Sequence, residues 1–254
     1  MICSFVFSPT GGTQKVIDAV AAGVSGPVIT YDLCDRKTDF SSVVLSESDL
    51  CFFAVPSFGG RVPATALARI SALQGNGASA VAVAVYGNRH YDDTFTELQD
   101  VLERSGFRVA AGIAAIAEHS IVHSIATGRP DDSDREELRN FGSRIQHAVM
   151  SASGAELSLR LPGNRPYKEA HGGAKPIAGA DCTRCGLCAA KCPAGAIPED
   201  NPAATDAEKC ISCMRCIAVC PNRARSLPAG TVEAIAQRIG AACAERKANQ
   251  LFLP

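Results

Sequence analysis

Short, nearly unbroken apolar runs punctuate the first 150 residues, at Ile2–Phe7, Pro27–Tyr31, Leu50–Val55, Ala80–Tyr86 and Arg108–Ile116. Continuous Val, Ile, Ala and Phe mark strands covered by helices on both faces. Between them lie stretches predicted as helices, Gly12–Ala22, Val62–Leu73, Asp93–Ser105 and Ser133–Met150. Strands alternating with helices imply right-handed crossovers and a doubly wound, five-stranded parallel α/β sheet. Such sheets bind ligands beyond the carboxyl ends of their strands. Functional residues are therefore expected in the loops after the first, third and fourth strands.

The pattern changes after residue 150. Ala155–Leu161 alternates Leu157, Leu159 and Leu161 with other residues, which predicts a short extended segment. Pro162–Gly179 carries three prolines and four glycines, so 151–179 reads as a connector. A cysteine-rich unit covers 180–228. In the remainder, 229–254, Thr231–Lys247 predicts a helix with Ile235, Ile239 and Ala242 on one face, expected to pack back on one of the domains.

Charge and composition narrow the function mainly by exclusion. The chain is 46% hydrophobic and 20% charged with a net charge of −1, so no basic excess points to nucleic acid. The apolar stretch near Val109–Ala117 falls short of the ~18–20 residues that span a bilayer. The first residues carry no basic n-region and no small-residue cleavage site, so a cytoplasmic protein is expected. In a reducing cytosol, twelve cysteines favour metal or redox work over disulfides. Four of them, Cys3, Cys34, Cys51 and Cys243, are scattered among apolar neighbours and read as buried thiols.

The other eight form a repeat. Cys182-x2-Cys185-x2-Cys188-x3-Cys192-Pro193 recurs 28 residues later as Cys210-x2-Cys213-x2-Cys216-x3-Cys220-Pro221. A zinc ribbon would place four ligands in two separated pairs, which this spacing does not do. The run resembles that of bacterial two-cluster ferredoxins, in which the fourth cysteine reaches the other cluster. The resemblance implies two [4Fe–4S] clusters, the first on Cys182, Cys185, Cys188 and Cys220, the second on Cys210, Cys213, Cys216 and Cys192. No Phe, Tyr or Trp lies between Lys168 and Leu251, so clusters would staple an otherwise thin core. Many such ferredoxins are strongly acidic. Here 180–228 holds six Lys or Arg against five Asp or Glu.

The first strand ends in Ser8-Pro9-Thr10-Gly11-Gly12-Thr13 before a helix, a hydroxyl-rich loop suited to a phosphate. It matches neither a Walker loop nor a dinucleotide fingerprint. The third strand leads into Pro56-Ser57-Phe58-Gly59-Gly60-Arg61, and the fourth into Tyr86-Gly87-Asn88-Arg89-His90-Tyr91. Together these loops resemble the FMN site of flavodoxins. Carried over, Ser8, Thr10, Gly11, Gly12 and Thr13 would hold the phosphate, Pro56–Gly60 would border the ring, and Tyr86–Asn88 would meet its other side. Phe58 and Tyr91 are the aromatic candidates, and a Gly59–Gly60 peptide flip would serve the reduced ring. Arg61 and Arg89 either favour a reduced flavin or point away.

The whole chain thus resembles flavodoxin–ferredoxin fusion proteins. That implies a flavodoxin-like sheet of order 2-1-3-4-5, a small α+β ferredoxin-like domain, and electron transfer between clusters, FMN and redox partner proteins. The alternative is an FMN-dependent reductase of a small molecule, with Tyr91, His90 and His119 near a second pocket over the ring. A carrier should leave the flavin edge exposed.

Overall fold

The computed structural model describes residues 1–151, 159–170 and 172–254. Strands β1 (Ile2–Val6), β2 (Val28–Asp32), β3 (Leu50–Pro56), β4 (Ser79–Tyr86) and β5 (Arg108–Ile116) pair in parallel in the order β2-β1-β3-β4-β5. Helices α1 (Gly12–Ala21), α2 (Ala64–Ile70), α3 (Thr94–Arg104) and α4 (Asp132–Ser151) connect or follow them. This is the flavodoxin-like order, with element ends within three residues of the expected ones.

Because side chains alternate across a strand, consecutive residues feed two separate cores. Phe5 and Phe53 stack at 4.8 Å on the α2–α3 side, joined by Ile70, Phe95 and Leu102. Val6, Val83 and Ile113 face α1 and α4, meeting Val16, Ile17, Leu138 and Phe141. Every residue of β4 is buried, as its unbroken apolar run requires. Helices α1 and α4 touch backbone to backbone, since a Cβ on Gly142 would lie 2.1 Å from the Val20 carbonyl oxygen. Cys3, Cys34, Cys51 and Cys243 are all buried.

Two features depart from expectation. The connector is not a free linker: residues 159–168 lie along α3. Asp93 stands at the helix N-cap, yet its carboxylate accepts from the Asn164 and Lys168 N–H groups at 2.8 and 2.7 Å. Arg165 and Tyr167 both bond Asp100. Leu161 packs against Gly112, while the expected extended run at 155–158 lies outside the described residues.

The second departure corrects the five-stranded sheet. A sixth strand, which we number β8 (Gln250–Phe252) after the two short strands of the cysteine-rich unit, pairs antiparallel with β5 through Ile113↔Leu251. Three residues are too short a run to announce a strand in sequence. The approach to β8 is clamped by Asp134, which is 2% exposed and ion-paired to Arg129 and Arg246. Asn249 Nδ2 donates to the same carboxylate at 3.1 Å, and Arg129 Nη1 to the Lys247 carbonyl at 2.8 Å.

The cysteine-rich unit contains β6 (Ile177–Ala178) and β7 (Arg225–Ser226), paired antiparallel, and the single turns α5 (Leu187–Ala190) and α6 (Arg215–Ala218). Its duplication is written into the backbone. Left-handed residues recur 28 apart, at Arg184 and Ser212, at Gly186 and Met214, and at Gly195 and Arg223. Helix α7 (Thr231–Cys243) leads from this unit back to β8.

Burial opposes ionisation of Asp134, but the Arg129 pair and the Asp131 N–H outweigh it and hold the carboxyl well below the carboxylate range. Asp134→Ala should therefore cost about 3–5 kcal/mol in urea unfolding near neutral pH. A depressed folded pKa gives stability that is complete above ~pH 4 and lost as pH falls toward the folded value. The gap between wild type and variant should accordingly narrow in acid.

Candidate functional site

A crevice of about 1110 Å³ opens at the carboxyl ends of β1, β3, β4 and β5. Thr10, Gly12 and Thr13 line one end. The first-turn N–H groups of a helix have no intrahelical acceptor, which leaves those of Gly12 and Thr13 in α1 available to an anion. Ser8 is spent elsewhere: its hydroxyl accepts from Gln14 N–H at 2.9 Å, and neither Ser8 nor Gly11 lines the crevice. Gly11 instead makes the left-handed turn into α1, with φ +91°.

Pro56, Ser57, Phe58, Gly59 and Gly60 form the next wall. Phe58 and Arg61 exchange backbone hydrogen bonds at 3.0 and 3.2 Å, closing a tight turn over Gly59 and Gly60. Both glycines have positive φ, and a Cβ on Gly60 would strike the Asp92 carboxylate. Arg61 points away. It forks onto Glu97, donates to the Lys168 carbonyl at 2.6 Å, and lies over the Tyr167 ring.

The loop after β4 divides the expected residues. Tyr86, Gly87, Arg89 and His90 line the crevice. Tyr91 does not: it is buried edge-to-face against Tyr86 and Phe95, in the core. Asn88 is also turned away, its Nδ2 donating to the Cys243 and Glu245 carbonyls at 2.9 and 2.8 Å. It anchors the end of α7 rather than facing a ligand. Arg89 is paired with Asp92, as is Lys168 at 2.8 Å.

His119 reaches the crevice from the loop after β5, its ring filling the space a Gly87 side chain would take. Nδ1 accepts from the Ile121 and Val122 N–H groups at 3.2 and 2.9 Å, so the network assigns the proton to Nε2. Burial, with the charge of His123, lowers its pKa from 6.5. His119 is thus a neutral hydrogen-bond donor rather than an acid poised near pH 7.

The opposite wall was not legible as a site in the sequence. It comprises Gly172–Ala174 of the connector, Ile211 and Ser212 between two repeat cysteines, and one face of α7. That face carries Thr231, Ala234, Ile235, Arg238, Ile239 and Ala242. The apolar stripe was visible; instead of packing flat on a domain, it roofs the crevice.

The eight repeat cysteines gather in two small cavities. One is lined by Cys182, Cys185, Cys188 and Cys220, the other by Cys192, Cys210, Cys213 and Cys216. Cys192 and Cys220 each accept a hydrogen bond at 3.3 Å from the N–H four residues on, Ala196 and Ala224. Among the described residues no three His, Cys, Asp or Glu converge on a single metal ion. Four sulfurs spread round a cavity fit a multi-iron cage better than one ion. Burial pushes the Cys213 thiol up to about 12 and Cys216 to about 11, so any metal taken up there would displace protons.

Arginines bolt the two halves together through backbone carbonyls. Arg69 reaches Leu33 and, at 2.7 Å, Pro193; Arg36 reaches Ala189 at 3.4 Å. Arg215 donates to the Ser8 carbonyl at 3.4 Å and faces Asp32 at 3.9 Å.

Residues 181–225 match the 4Fe-4S dicluster domain. The chain joins this dicluster domain to a flavodoxin-like fold. No curated protein matches the chain. Among solved structures, a Streptococcus pneumoniae flavodoxin is 19% identical, covering 58% of this chain and 99% of its own, with a TM-score of 0.41. An archaeal flavodoxin is 16% identical over 59% and 99%, TM-score 0.40, and an NADH:FMN oxidoreductase 14% over 61% and 91%, also 0.40. At such scores the fold assignment rests on the strand order itself. Redox, electron-transfer chemistry is what the dicluster domain supports. Among the described residues no helix is long and apolar enough to cross a membrane.

A nitrogen-resolved NMR titration should find His119 with Nε2 protonated and neutral at pH 7, ionising only below the ordinary value of 6.5. Because its folded pKa is depressed, its contribution to stability is full above the unfolded pKa and fades as pH falls through the folded one.

Proposed function

We propose that this protein carries electrons through two [4Fe–4S] clusters to one FMN held in the crevice. Cys182, Cys185, Cys188 and Cys220 would hold the first cluster, and Cys210, Cys213, Cys216 and Cys192 the second. The observation that carries the reading is that Ile211 and Ser212, inside the second run, line the same crevice as the Thr10–Thr13 loop. A cluster there would sit one wall from the flavin.

The donor set fits FMN. Thr10 and Thr13, with the N–H groups of Gly12 and Thr13 at the start of α1, suit a phosphate. Phe58, Tyr86 and the glycines of the second and third loops suit a flat ring with a polar rim. FMN, when bound, exchanges electrons singly with clusters and singly or in pairs with an acceptor. His119 Nε2–H offers a fixed donor to that rim. At the far end, Cys185 is exposed and Leu187 stands 37% exposed beside it. A low-potential donor protein would therefore meet the first cluster, and electrons would pass inward through the second.

What becomes of them is favoured by the roof. A protein acceptor needs an open flavin edge, whereas α7, the connector and the dicluster domain wall this crevice on the side facing the loops. That favours reduction of a small molecule, which takes two electrons from the flavin and two protons from solvent. The crevice slightly exceeds the ~300–1,000 Å³ typical of single-ligand pockets. Ile235 and Ile239 offer an apolar face to a planar acceptor, and Arg238, which pairs with no carboxylate among the described residues, offers a cation to an anionic substituent.

Anaerobically purified protein should contain about eight irons and one FMN per chain. Finding iron without flavin would reduce the α/β domain to a scaffold. Cys192→Ala should damage the second cluster more than the first, and equal loss would contradict crossed ligation. Ile235→Trp should keep FMN bound yet raise the KM for a water-soluble benzoquinone several-fold. An unchanged KM, with fast reduction of a carrier protein at the flavin, would favour the open-edge reading.

A further inference from the structure

Three buried side-chain nitrogen or oxygen atoms among the described residues lack any hydrogen-bond partner: Thr65 Oγ1, Arg215 Nε and Arg225 Nε. Two of the three belong to arginines in the cysteine cavities, one in each. Arg225 lines the cavity of Cys182, Cys185, Cys188 and Cys220, while Arg215 lines that of Cys192, Cys210, Cys213 and Cys216.

Arg225 is 3% exposed. Its two terminal nitrogens are occupied, Nη1 by Thr205 Oγ1 at 2.8 Å and Nη2 by the Pro202 and Ala204 carbonyls. No carboxylate pairs with it among the described residues. Arg215 is less enclosed, and its terminal nitrogens face Ser8 and Asp32 as described. In both, Nε–H is the buried donor left without an acceptor. A buried charged donor without an acceptor is costly, and native structures seldom leave one. The cavity each arginine lines is where an acceptor would be.

We infer that Arg225 and Arg215 each donate an Nε–H hydrogen bond to a sulfur of the cluster in their own cavity and thereby raise its reduction potential. This rests on the two-cluster reading above. Reduction adds one electron to an already anionic cluster, so a cation and a donor beside its sulfur stabilise the reduced form more than the oxidised one. The arginines are not part of the repeated cage. Twenty-eight residues earlier stand Leu187 and Ile197, so each cluster receives its arginine from a non-equivalent position. Arg215 shares its charge with Asp32, whereas Arg225 shares its charge with no carboxylate. Arg225 should therefore have the larger effect.

The test is a redox titration of the iron-loaded full chain, followed by electron paramagnetic resonance. Arg225→Gln and Arg215→Gln should each lower the midpoint of one cluster more than the other, Arg225→Gln the further. Arg225→Lys and Arg215→Lys, which keep the charge but lose Nε–H, should shift it by less. Thr205→Val, which removes a partner of Nη1 and the hydroxyl's bond to the Pro176 carbonyl but leaves Nε–H untouched, should leave both midpoints in place. Should Arg225→Gln fail to retain its cluster, Arg215→Gln, at a more exposed position, decides alone. Variants with full iron and unmoved or raised midpoints would overturn the inference while leaving the two-cluster reading intact. Wild-type protein that binds no iron would overturn both.

Discussion

The architecture hangs on one buried carboxylate. Asp134 begins α4 beneath the edge of the sheet, where it gathers Arg129, Arg246 and Asn249 into one network. A lone ionised carboxylate at 2% exposure would be prohibitive, and two arginines with an amide make it tenable. The consequence reaches well beyond the ion pair. With residues 246–249 held, β8 falls into register on β5, and α7 is drawn across the crevice from the dicluster domain. Asn88 reinforces the same end of α7 from the loop after β4. Without that return, the wall bearing Ile235 and Ile239 would have nothing to hold it over the loops.

The α/β domain was readable because its physics is local and periodic. Unbroken apolar runs of strand length, alternating with helical stretches, read as doubly covered strands, and the cysteine run announces itself by recurring 28 residues on. Tyr91 and Asn88 show where such reading ends. Both sit in a loop at the expected edge, but Tyr91 is turned into the core by Tyr86 and Phe95, and Asn88 is claimed by carbonyls more than 150 residues away. Loop residues are placed by tertiary partners, and a single sequence does not name those partners. The same holds for β8, for the connector laid on α3, and for Arg61, whose forked pairing with Glu97 removes it from the crevice.

Charge, too, was visible only as a count. The six basic residues of the dicluster segment stood in the sequence only against its five acidic ones. In the structure Arg225 is wholly interior, and Arg215 stands between the second cysteine cavity and the Ser8 carbonyl. The two sites are thus electrostatically adjacent as well as spatially close.

The position of β8 also changes what kind of protein this is. Because the last sheet strand follows the cysteines in sequence, the dicluster domain is an insertion into the α/β domain, between β5 with its following helix and the final edge strand. It is therefore tethered at both ends, by the segment along α3 and by α7. A domain hung on one linker can swing through a wide arc, whereas one held by two fixed stems explores little. For electron tunnelling, whose rate falls steeply with separation, such double suspension would hold the two proposed cofactor sites at a nearly constant gap.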